Sequence, residues 1–70
     1  MTHPLHPVPV KATRDIRQHS SPLIPRGTPG EILSTRGIQP TYYTVTFWLA
    51  GLSGPRVTIP NLHRSDLVAA

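Results

Sequence analysis

Seventy residues without a single cysteine admit one small domain and exclude both a disulfide framework and a thiolate-held zinc site. Seven Lys and Arg against three Asp and Glu give a formal charge of +4, a balance that suits polyanions such as nucleic acid and equally keeps a small domain soluble. No apolar run approaches the ~20 residues of a membrane-spanning helix, and Pro4, Pro7 and Pro9 break up the apolar stretch that a secretory signal requires, so a cytoplasmic protein with no membrane partner is expected.

Residues 1–21 show neither a helical nor a strand period. Their prolines favour extended, solvated backbone, and the segment reads as a disordered, proline-rich basic arm. Residues 12–18 could form one helical turn behind Thr13, too short to be stable alone. The domain is expected over residues 22–70, where short apolar runs alternate with turn residues in the manner of a meandering sheet. A first strand over 23–26 would be confined to a sheet edge by Pro22 and Pro25. Gly27-Thr28-Pro29-Gly30 is a turn, and residues 31–35 form a second strand with Ile32 as its core residue. Residues 37–40 supply the next turn.

The clearest strand covers residues 42–49. Tyr43, Val45 and Phe47 share one face, and Tyr42, Thr44, Thr46 and Trp48 share the other. A glycine-containing loop over 50–55 returns the chain into residues 56–59, with Val57 and Ile59 pointing inward. Pro60 is expected to end that ladder. Residues 61–66 read as one helical or 3₁₀ turn, with Leu62 closing the core and Leu67-Val68 forming a short last strand.

This order of elements, with Arg26-Gly27-Thr28-Pro29-Gly30-Glu31-Ile32, the Tyr43-x-Val45-x-Phe47 strand and Val57-x-Ile59, resembles the bacterial SH3-like barrels. The likeness is to KOW and Tudor-like modules, the photosystem I reaction-centre subunit IV and the nitrile hydratase β-subunit, and it covers residues 23–68. It implies an all-β fold, a closed five-stranded barrel with a short 3₁₀ turn before the last strand, and specifies activity barely, because the barrel hosts many functions. The Ala-Leu-Tyr-Asp-Tyr segment and acidic residues with which eukaryotic signalling SH3 domains grip proline peptides are absent. The plasmid-borne type of dihydrofolate reductase, a tetramer, carries Val-Gln-Ile-Tyr in its pore. Val57-Thr58-Ile59-Pro60 keeps only the apolar positions of that motif.

Asp15, Glu31 and Asp66 are the only carboxylates, and nothing in their spacing pairs two of them across a cleft for acid–base work. No serine has the setting of an exposed nucleophile elbow, and no phosphate-binding glycine loop occurs. His3 and His6 could chelate copper or nickel with amino-terminal backbone nitrogens, yet an extended arm offers no supporting shell. His19 and His63 stand isolated. A non-enzymatic binding module without metal or cofactor is therefore expected.

The binding surface is expected at Arg36, Tyr42, Trp48, Arg56 and Arg64, where arginines beside exposed aromatics could hold RNA or DNA. Arg14 and Arg17 would add phosphate contacts from the arm. Tyr42 and Trp48 lie ~20 Å apart along a strand, so they cannot share one stacking platform. The alternative is a protein-interaction or assembly module, docking a partner or a second copy through the aromatic face or a strand edge; a remote alternative is a small enzyme resembling the plasmid-borne dihydrofolate reductase, which would need a tetramer with residues 57–59 lining its pore.

Overall fold

The computed structural model describes residues 8–18, 20–51 and 54–70. His3, His6 and His19 lie outside the described residues. Five strands, β1 (Val8–Ala12), β2 (Pro29–Arg36), β3 (Tyr42–Trp48), β4 (Arg56–Leu62) and β5 (Leu67–Ala69), build one antiparallel sheet in the order β4-β3-β2-β1-β5. A single turn of 3₁₀ helix, Arg64–Asp66, precedes β5. The all-β class and the turn before the last strand are as expected. The closed barrel is not: the chain forms one sheet with β4 and β5 as its free edges. The reason lies in β5, which spans three residues: the edge it turns away from β1 is too short to hold β4 in a ladder. Among the described residues no helix is long and apolar enough to cross a membrane.

Strand β1 corrects the reading of a disordered arm over residues 8–12; residues 1–7 of that arm lie outside the described residues. The strand lies inside the sheet, paired with β2 through Val10↔Gly30 and with β5 through Val10↔Ala69. Val8, Val10 and Ala12 alternate with Pro9 and Lys11, a period of two. Pro9 is tolerated because its missing N–H falls on the β5 side at the last rung, where its carbonyl still accepts the Ala70 N–H at 3.2 Å. The proline removes a donor without breaking an internal rung.

Residues 13–18 and 20–28 also belong to the fold. Ile16 and Ile24 exchange both backbone hydrogen bonds at 2.8 Å as an isolated bridge, so residues 23–26 are not an edge strand and residues 12–18 are not a helical turn. Both side chains are fully buried. The Asp15 carboxylate accepts the Arg26 N–H at 2.8 Å, and Gln18 Nε2 donates to the Pro60 carbonyl at 2.6 Å. Each contact removes freedom from a segment whose composition alone suggested none would be lost.

The core unites Val10, Ala12, Ile16, Ile24, Val45, Phe47, Ile59 and Leu62. Tyr43, Val57, Ile32 and Leu67 are partly buried against it. Of the expected inward set, Val45, Phe47 and Ile59 are thus fully enclosed, while Tyr43 and Val57 border the surface. Two bulges shape the sheet. In β2 one extra residue, Leu33, sits between the pairs Ile32↔Val45 and Ser34↔Thr44. In β4, Pro60 and Asn61 together oppose Thr44, between Val45↔Ile59 and Tyr43↔Leu62. Pro60 therefore bends the ladder and does not end it: Asn61 takes φ +60°, a conformation asparagine tolerates better than most side chains, and Leu62 returns to the core at 2% exposure.

Candidate functional site

Strand alternation and the β4 bulge together decide which polar side chains meet. Arg36 and Tyr42 are direct cross-strand partners at the end of the β2–β3 ladder. The Arg36 guanidinium donates through Nη2 to Asn61 Oδ1 at 2.5 Å, and Asn61 is the left-handed residue of the bulge. Beyond the bulge the chain brings His63 against Tyr42, with ring centroids 5.3 Å apart and planes tilted by 56°. Tilted packing of this kind aligns a ring edge with a ring face. Arg64 follows as the first residue of the 3₁₀ turn. Its side chain is exposed and, among the described residues, makes no hydrogen bond or ion pair.

The turn that presents His63 and Arg64 is fastened from behind. Asp66 is 5% exposed, accepts the His63 N–H on Oδ2 at 3.0 Å, and holds Arg14 Nε on Oδ1 at 2.8 Å. Thr13 reinforces the junction twice, its N–H donating to the Asp66 carbonyl at 2.9 Å and its hydroxyl to the Ser65 carbonyl at 2.7 Å. Arg14, expected to meet phosphate from a mobile arm, is instead committed to this ion pair. Arg17 remains exposed.

Trp48 and Arg56 are partners across β3 and β4, at the opposite end of β3 from Tyr42. Between the two ends, Thr46 and Thr58 face each other with hydroxyls 3.5 Å apart. The five expected site residues therefore divide. Arg36, Tyr42 and Arg64 gather at one end with His63 and Asn61, and Trp48 with Arg56 forms a separate pair. His63 and Asn61 were missed because their roles depend on the bulge, whose only sequence signal is the Pro60-Asn61 dipeptide inside a strand-like run.

A third feature lies on the core side of β1, β2 and β5. An apolar groove of about 240 Å³ opens there between Val8, Val10, Ile32, Tyr43 and Leu67, and Arg64 is the one charged residue among its lining. Ile59 is enclosed in the core at 1% exposure and is not free to line a pore between subunits. Among the described residues no group of three or more histidine and carboxylate side chains could hold a metal ion. Comparison with protein-family models, curated proteins and solved structures finds no match for this chain.

Proposed function

We propose that this protein is a non-enzymatic nucleic-acid-binding module of the SH3-like class, its sheet left open, and that it holds single-stranded RNA or DNA at the end formed by Arg36, Tyr42, His63 and Arg64. The β2-β3-β4 meander followed by a 3₁₀ turn and a last strand beside β1 supports the class. The observation that carries the binding reading is the meeting of Tyr42 and His63 at 5.3 Å with Arg36 alongside. Two rings supply stacking surface for a base, and arginines on either side supply charge for the flanking phosphates. Asn61 fixes the Arg36 guanidinium through one of its donors, which leaves the remaining donors oriented before any ligand arrives.

Titration with a fluorescent single-stranded oligonucleotide at several salt concentrations tests the reading. Affinity falls steeply between ~50 and ~200 mM salt where phosphate contacts dominate. Arg36→Ala reduces the slope of log affinity against log salt by about 0.7, the share of one phosphate on a single strand. Tyr42→Ala weakens binding by about 1–3 kcal/mol, the worth of one stacked base, and leaves the slope unchanged. Affinity insensitive to salt, or equal in Arg36→Ala and the parent, overturns the proposal.

A further inference from the structure

Among the described residues strand β5 has one neighbour, β1, and its other edge is open. The Thr13 N–H donates to the Asp66 carbonyl at 2.9 Å and the Ala70 N–H to the Pro9 carbonyl at 3.2 Å, in the register Val10↔Ala69, Lys11↔Val68, Ala12↔Leu67. Antiparallel pairing alternates bonded and non-bonded rungs, so Asp66, Val68 and Ala70 face β1 and the peptide groups of Leu67 and Ala69 face away. The Leu67 N–H already returns to the Arg64 carbonyl at the end of the 3₁₀ turn. The Leu67 carbonyl and both peptide groups of Ala69 are left as a short, unpaired template.

Beside that template runs the apolar groove. Val8 is 50% exposed and lines it together with Leu67 on the same face of the sheet, and Arg64, also in its lining, has no counter-ion among the described residues. We propose that this groove and the β5 edge dock an extended, acidic-apolar segment of another protein, which adds a strand beyond β5, sets an apolar side chain against Val8 and Leu67, and places a carboxylate on Arg64. The charge rule selects this occupant over a second copy. Asp66 is buried against Arg14, Asp15 holds the Arg26 N–H, and Glu31 lies on β2, between β1 and β3 in the sheet. None of these three side-chain carboxylates is placed to meet the Arg64 of another copy across a β5 edge. Main-chain bonds give such strand addition its affinity, and the pocket and the charge give it selectivity.

The test is an NMR titration of the ¹⁵N-labelled full chain with a blocked peptide of alternating valine and threonine flanked by glutamates, and with its glutamine counterpart. Saturable amide shifts confined to Val8 and residues 64–69 are expected, with about fivefold tighter binding of the glutamate peptide, the scale of a partly exposed ion pair. Ala69→Pro removes only an outward-facing donor, which edge strands tolerate, and is expected to abolish binding while the rest of the spectrum stays in place. Arg64→Glu, on an exposed side chain, reverses the preference toward a lysine-flanked peptide and keeps the test decisive if the proline disturbs β5. Equal binding of the glutamate and glutamine peptides, shifts elsewhere on the sheet, no saturable shift, or self-association of the unliganded chain through β5 each overturns the proposal. Arg64 is shared with the proposed oligonucleotide site, so the two readings are separated by Ala69→Pro alone, which leaves Arg36, Tyr42, His63 and Arg64 in place: oligonucleotide binding retained with peptide binding lost assigns them to different surfaces.

Discussion

Gly30 leaves room for the ring of Phe47: a Cβ at position 30 would stand 2.8 Å from the Phe47 Cδ1 atom. The two residues are direct cross-strand partners, and the same Cβ would also meet the Thr46 carbonyl oxygen at 2.6 Å and Val45 Cγ1 at 3.0 Å. Two of these obstacles belong to backbone or to a fully buried ring, and neither can swing aside. The sheet therefore closes over its largest buried side chain because one strand carries no side chain at that point.

Gly30→Ala consequently overpacks the core and is expected to cost about 1–3 kcal/mol, read as a lower urea midpoint at unchanged slope. Phe47→Leu in the Gly30→Ala background recovers part of that loss, since the smaller side chain vacates the space the methyl needs. Additive effects of the two substitutions would show that the contact is not the cause.

Ile16 and Ile24 test whether residues 13–28 are integral to the domain. Each is at most 1% exposed, so truncation to alanine is expected to cost about 2–5 kcal/mol, enough to unfold much of a domain this small. Leu23→Ala, at a side chain 41% exposed, is expected to change stability by no more than about 0.5 kcal/mol. Thermal melts of the three variants distinguish a packed segment from a loose one.

How far the sequence announces this fold depends on which force places each residue. Tyr43, Val45 and Phe47 are legible because strict alternation over a long strand admits one pairing face. Val10 and Ala12 are not, since Pro9 just before them imitates a solvated arm, and its harmlessness depends on the distant residue Ala70 opposite. Ile16 and Ile24 are hidden for a similar reason. Each stands alone among polar or proline neighbours, and only their mutual bridge buries them. At the candidate site, Arg36 and Tyr42 are legible as residue types, while their meeting with His63 depends on the extra residue in β4.

Asp66 carries the junction between the 3₁₀ turn and the start of the chain. Asp66→Ala strands the His63 N–H and frees Arg14, and is expected to cost about 1–3 kcal/mol, the range for removing an acceptor from a buried donor. Asp66→Asn keeps one acceptor oxygen for His63 and is expected to lose roughly half as much. Chemical denaturation of both, alongside Arg14→Ala, separates the capping bond from the ion pair. An Arg14→Ala loss as large as that of Asp66→Ala would assign the junction to the ion pair alone.

Asn61 combines a left-handed backbone with the anchor for Arg36. Asn61→Gly keeps the backbone and is expected to hold stability within about 0.5 kcal/mol, whereas Asn61→Ala costs about 1–2 kcal/mol for the same φ. Both release the Arg36 guanidinium, so both weaken oligonucleotide binding to a similar degree. Binding lost in Asn61→Ala alone would point to the backbone as the element that matters.

Because one partner of β1 follows every other strand in the sequence, one flank of it waits for residues 67–69 during synthesis. A ribosome releases β2, β3 and β4 before that flank can be covered, so the meander has the opportunity to zip locally, but completion waits for β5. Nascent chains halted before Leu67 should thus be readily digested by protease, and those a few residues longer, once clear of the exit tunnel, should resist it.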